Sequence, residues 1–201
     1  GEAQNLSRIM GGIKTLIASY AGFNALQGIA KTSDDLTQTT ARLGMMNEGF
    51  RETGGALEST DDLVNLVYAS AQNARGSFGD MAAVVAKFGN NAKDAFSSSA
   101  EVVDFANLIQ KQMTIAGAST QEASNAMLQL SQALGSGVLR GDELNSIFEQ
   151  APNLIQTIAD YMDVPIGSIR QMASDGKLSA DTVKAAIFSA SEDINAKFDQ
   201  M

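Results

Sequence analysis

Ser119-Thr120-Gln121-Glu122-Ala123-Ser124-Asn125-Ala126-Met127-Leu128-Gln129-Leu130-Ser131-Gln132-Ala133-Leu134-Gly135-Ser136-Gly137 is the stretch that decides the fold class. The Ser119 hydroxyl stands where it can cap a helix start, and Glu122 can reach back to the amide of the cap itself. Behind them Ala123, Met127, Leu130 and Leu134 repeat with the 3.6-residue period of one helix face. Gly135-Ser136-Gly137 then ends the run, because glycine takes the left-handed conformation that stops a helix. The stretch reads as one short helix with its own start and its own stop.

The same punctuation recurs on both sides. Ser59 and Thr60 precede the stripe Leu63, Val67, Ala71, Ala74. Ser77 with Asp80 precedes Phe78, Met81, Val85, Phe88, and Ser98 with Glu101 precedes Val102, Phe105, Ile109, Met113. Downstream, Leu144, Ile147 and Phe148 mark a helix. Pro152 suits the first turn of the next, since its missing N–H would be unpaired there anyway. Leu154, Ile155, Ile158 and Met162 line that helix. Pro165 opens a piece carrying Ile166, Ile169 and Met172, which Gly176 ends. Ser179 caps a last run in which Val183, Ile187, Ala190, Ile194 and Phe198 reach the chain end. No stretch alternates like a strand, although a short extended pairing at Val138-Leu139 fits the pattern. The fold class is therefore all-α: a compact multi-helix domain of about eight to ten helices.

Two connections stand out. Glu48 to Glu58 holds Gly49, Gly54 and Gly55 and reads as flexible. Asn90 to Ser99 reads as a polar loop around a short turn. A boundary near Glu58 divides the chain into an N-terminal helical segment with a Gly-rich loop (1–58), packed loosely, and a compact helical body (59–201). Within the first part Ile9, Ile13, Leu16, Tyr20, Phe23 and Leu26 form a helical stripe. Lys14, Ser19, Tyr20, Asn24 and Gln27 interrupt the apolar run Ile9–Ala30, so membrane contact is not expected of it. The chain opens Gly1-Glu2-Ala3, as expected of a piece of a longer protein or of a processed one.

Composition narrows the chemistry. The 201 residues include no cysteine, no histidine and no tryptophan. That excludes disulfides, thiolate metal sites, a thiol nucleophile and an imidazole base. Carboxylates, lysines, hydroxyls and backbone remain, so no catalytic residue, no cofactor site and no metal site is assigned. A hydrolase working on carboxylates alone would need two of them facing each other across a cleft. Asp142, Glu143, Glu149, Asp160 and Asp163 lack the dense spacing of a calcium loop. Gly135-Ser136-Gly137-Val138-Leu139-Arg140-Gly141 lacks both the spacing and the preceding strand of a phosphate loop.

The net charge is −9, from 14 basic and 23 acidic residues, which disfavours nucleic acid. One stretch points the other way. Residues 158–178 have the cadence of a helix-turn-helix, with Ser168, Arg170, Gln171 and Lys177 on or after its second helix. From Asp142 onward, however, ten acidic residues face four basic ones. Two short helices packed at an angle is the favoured reading, a DNA-binding protein the alternative.

Leu134-Gly135-Ser136-Gly137-Val138-Leu139-Arg140-Gly141-Asp142-Glu143-Leu144-Asn145-Ser146-Ile147-Phe148-Glu149-Gln150-Ala151-Pro152 resembles the most recognisable stretch of the N-terminal domain of phage or prophage tail tape measure proteins. Gly117-Ala118-Ser119, Glu122-Ala123 and Gln129 to Ala133 resemble the preceding helix. Met172 to Asp181 resembles the segment after. The Ala71-to-Asp80 region, with Arg75 and Ser77, shares the cadence, so the resemblance runs from about Asp34 to Phe198.

It implies a structural virion protein that is not an enzyme. Such proteins sit in the tail tube lumen, set tail length during assembly in the host cytoplasm, and leave ahead of the DNA. Implied partners are other tape measure copies and tail assembly proteins (tail tube, tail chaperone or tip proteins), with no nucleic acid bound specifically. The family motif falls on Gly137, Leu139, Arg140, Gly141, Glu143, Leu144, Asn145, Glu149 and Pro152, as fold determinants or partner contacts. Arg140 is expected to pin the Gly137–Gly141 connection by bonding carbonyls, Glu143 or Glu149. A single helix of this length would span about 300 Å. The repeated stops point instead to a folded domain, with the measuring rod elsewhere in the full protein.

Overall fold

In the computed structural model, which describes residues 34–201, the chain forms ten α-helices. These are α1 (Asp34–Gly49), α2 (Thr60–Asn73), α3 (Phe78–Asn91), α4 (Ser99–Ile115), α5 (Thr120–Ser136), α6 (Gly141–Gln150), α7 (Pro152–Met162), α8 (Ile166–Ser174), α9 (Ala180–Ser189) and α10 (Ser191–Asp199). A 3-10 turn, Lys93–Ala95, sits in the Asn90–Ser99 connection. The stripe at residues 9–26 lies outside the described residues.

Five of the starts are set by local side-chain hydrogen bonds. Ser59 and Ser119 form reciprocal capping boxes with Asp62 and Glu122. Ser77, Ser98 and Ser179 each accept one amide of the first turn. Glu101 departs from the expected pattern. Its carboxylate turns from Ser98 to the backbone and hydroxyl of Ser97. Stops come from left-handed residues: Gly137 (φ 83), Gly176 (φ 70) and, with no glycine to announce it, Asp163 (φ 54).

Helix α3 lies against α1, α2, α4 and α5, while α4 touches α2, α3, α7, α9 and α10. The two together carry the centre of the fold. One contiguous core runs from Leu43 and Met46 of α1 to Ile194 of α10. At its middle Phe105 is fully buried, with the rings of Phe88, Phe96 and Phe188 at 5.2, 5.4 and 5.9 Å.

Three sequence expectations change. The Glu48–Glu58 connection is tied down: the Asn47 side chain bonds both the N–H and the carbonyl of Leu57, and the Ser99 N–H donates to the Gly55 carbonyl. The run from Val183 to Phe198 is two helices, broken at Ala190. That break lets α9 lie on α7 while α10 lies on α4. Gly135 is a contact rather than a stop, since α5 continues through it to Ser136. A Cβ there would collide with the Asn91 carbonyl oxygen at the end of α3.

Gly135→Ala therefore sets two effects against each other. Helix propensity alone would stabilise the variant by about 1 kcal/mol. The collision is expected to win, lowering the unfolding free energy in urea by about 1–3 kcal/mol. A variant more stable than the parent would show that α3 and α5 are not held at this distance.

Candidate functional site

The motif begins where α5 ends. Gly137 takes the left-handed conformation and its N–H bonds the Leu134 carbonyl. The chain then runs extended beside the segment entering α9. Val138 bridges Ser179, the Leu139 N–H donates to the Leu178 carbonyl at 2.8 Å, and the Ala180 N–H donates to the Gly137 carbonyl at 2.9 Å. This is the short extended pairing that the sequence allowed at Val138-Leu139. It clamps the α5–α6 connection to the α8–α9 connection, with the Leu139 side chain buried between.

Helix α6 then divides its side chains. Leu144 and Ile147 are fully buried. Phe148 is half-buried, with the Arg170 guanidinium of α8 4.1 Å above its ring. Asp142 and Glu143 occupy the first turn, where the helix dipole favours negative charge. One Glu143 oxygen, Oε2, is buried without a hydrogen-bond partner. Pro152 opens α7 at its first turn, as its missing N–H allows.

Arg140 does not do what its position suggested. It is exposed and, among the described residues, its side chain makes no hydrogen bond or ion pair, with Glu143, Glu149 or any carbonyl. The extended pairing of residues 138–139 already holds the connection through backbone bonds, so no side-chain pin is needed. Asp142, Asn145 and Glu149 are exposed as well. Their spacing of three and four places them on one stripe of α6, with Arg140 at its head.

In residues 158–178, Arg170, Gln171 and Lys177 are exposed, and each contacts a neighbouring side chain of the domain. Besides Arg170 on Phe148, the Gln171 amide donates to Asp175 Oδ1 at 2.8 Å, and Lys177 lies 3.7 Å from Asp175. Helices α7 and α8 pack on each other and on α6. The turn between them is made by Asp163 in the left-handed region followed by Pro165 at the cap of α8. The cadence is that of a packing unit.

One buried charge cluster escaped the sequence reading. Burial pushes the Glu101 pKa up, but the Ser97 N–H and hydroxyl and the Lys184 ammonium outweigh that and hold it below its ordinary value. Lys184 reaches Glu101 Oε1 at 3.0 Å and the Ala95 carbonyl at 2.9 Å, tying α9 to the 3-10 turn and α4. One turn along, burial and then the Glu101 charge raise Asp104 from 3.8 to about 7. Among the described residues no group of three or more Asp and Glu side chains could hold a metal ion.

The most distinctive segment of this helical body is half buried and half exposed. The sequence profile of tape measure proteins matches residues 27–201, and the chain belongs to the tape measure protein family. That family is structural and not an enzyme family, which gives the domain a structural role in a phage tail and a place in the virion tail. No curated protein and no solved structure matches the chain. Among the described residues no helix is long and apolar enough to cross a membrane.

The Asp104 shift has a testable sign. Its folded pKa lies above the unfolded one, so its contribution is fully present below about 3.8 and is lost as pH rises towards 7. Asp104→Asn is expected to be more stable than the parent at pH 8, by about 4 kcal/mol at most. That advantage should shrink steadily between pH 7 and pH 4. Urea unfolding at pH 4, 6 and 8 measures it, and an advantage constant across the series would remove Asp104 as its cause.

Proposed function

We propose that this domain serves tail length determination as a folded anchor of the tape measure protein and not as the ruler itself. In this reading the protein occupies the tail tube, the domain docks on tail assembly proteins (tube, chaperone or tip) or on other tape measure copies, and the whole leaves ahead of the DNA. The domain performs no chemistry of its own. The longest described helices, α4 and α5, have 17 residues. Each spans about 25 Å, too short for a measuring rod, which belongs elsewhere in the full protein.

The observation that carries the reading is the stripe Arg140, Asp142, Asn145 and Glu149. It is exposed and lies within the stretch that marks the family, yet its side chains make no bonds inside the described chain. Gly141 sits beside it. A Cβ there would meet nothing within 4 Å, and its φ is not in the left-handed region. Neither packing nor backbone conformation calls for glycine at that place, and a glycine there leaves room for close approach of an outside backbone.

The combined variant Arg140→Ala, Asn145→Ala, Glu149→Ala should leave thermal stability nearly unchanged, because exposed positions without partners usually shift it by no more than about 0.5 kcal/mol. Introduced into the phage, it should lower the yield of full-length tails in electron micrographs at least tenfold. Normal tails from a stably folded variant would remove α6 as the docking face.

A further inference from the structure

Residues 34–201 carry 22 acidic and 11 basic residues, a net charge of −11. Over most of their surface two copies of the domain therefore repel each other. Helix α5 is the exception. Between Glu122 and Arg140 lie 17 consecutive residues without a charge, whereas no other charge-free run in residues 34–201 exceeds 12. An ordinary surface helix carries charges on its outer side. The outer side of α5 carries amides instead: Gln121, Asn125 and Gln132 are exposed and Gln129 is half-exposed. Gln121 donates to Asn125 at 3.1 Å, and among the described residues the side chains of Gln129 and Gln132 make no hydrogen bond. In their midst Leu128 is half-exposed and lies outside the contiguous core. A face depleted of charge around an outward leucine has the composition of an interface centre.

The spacing of these residues points to a second copy of the chain. Asn125 and Gln132 stand on either side of a midpoint between Leu128 and Gln129, each about 5 Å from it along the helix axis. A twofold through that midpoint lays a second α5 antiparallel to the first, and each Asn125 then faces the partner's Gln132. Leu128 meets the partner's Leu128, and Gln129 the partner's Gln129. An amide offers both donors and an acceptor, so identical amide faces satisfy each other, and no charge of the seam meets a like charge. We propose that two copies of this chain associate through α5 as an antiparallel twofold pair centred between Leu128 and Gln129. One helix face about 25 Å long covers less than the ~800 Å² per partner of a standard interface, so the pair is weak and reversible. The contact is separate from the α6 stripe, and its test needs no tail component.

The chain has no cysteine, so introduced thiols report on the pairing without background. Oxidised at high micromolar concentration, the full chain carrying Leu128→Cys should give a disulfide-linked dimer. Asn125→Cys alone and Gln132→Cys alone should give little, because each stands about 10 Å along the axis from its own copy. An equal mixture of those two variants should give the mixed dimer, at least fivefold above either alone. Sedimentation equilibrium of the unaltered chain should show association that strengthens severalfold from low to high salt, since the seam holds no ion pair and salt screens only the repulsion between acidic bodies. Gln132→Glu should weaken that association severalfold. A chain that stays monomeric, similar dimer yields at 125, 128 and 132, or association that salt weakens would each overturn the proposal. Circular dichroism of the reduced variants establishes that all share the parent fold.

Discussion

Phe105 holds the two ends of the domain in one core. Its ring meets Phe88 from α3, Phe96 from the segment after the 3-10 turn, and Phe188 from α9, so four separate segments converge on one point. Burying a ring of this kind stabilises by roughly 1.5–3 kcal/mol, and each edge-to-face pair adds about 0.5–1.5 kcal/mol. Against a net stability of about 5–15 kcal/mol for a domain, this node is a large share. It also constrains geometry. α9 must return to α4 from the far side of the α6–α8 group, and the clamp between residues 138–139 and 178–179 is what turns the chain back. Lys184 fixes the approach, with Glu101 and the Ala95 carbonyl bonded and its ammonium 5.8 Å from the Phe96 ring.

The last helix is held by a different device. Phe198 of α10 lies 4.6 Å from the Arg75 guanidinium and 5.2 Å from the Lys111 ammonium. Lys111 is almost fully buried and donates to Asn195 Oδ1 at 2.6 Å. Burial lowers its pKa and Arg75 lowers it further, while Asp199 acts in the opposite direction. A buried ammonium needs partners, and both the amide acceptor and the aromatic face come from α10. Arg75 reaches the ring from a left-handed backbone conformation, φ 54, at the end of α2. The helix is thus fastened by contacts near its C-terminal end and by Ile194, buried at its middle.

What could be read from the sequence follows the range of the interactions. Serine caps were legible at 59, 77, 98, 119 and 179 because the partner amide always lies three residues on. Pro152 and Gly137 were legible because each carries its conformational rule within itself. The break at Ala190 was not, since no glycine or proline marks it and only the separate demands of α7 and α4 require it. The Glu101–Lys184 pair spans 83 positions, and the Ser99 hydroxyl bond to Asn47 spans 52. Nothing local announces either, and for that reason Glu48–Glu58 reads as flexible although it is fastened at Leu57 and Gly55.

The motif on α6 shows the same limit from the functional side. Its residue pattern could be recognised as a unit, but the pattern does not say which members face inward. Leu139 and Leu144 belong to the core. Arg140 is the opposite case. A guanidinium is an expected pin for a tight connection, yet backbone pairing at 137–139 and 178–180 has taken that task already. Arg140 is therefore left free at the head of a polar stripe, beside a glycine that nothing inside the domain requires. The fold accounts for the buried leucines of the motif, whereas packing inside the domain places no demand on its exposed polar stripe.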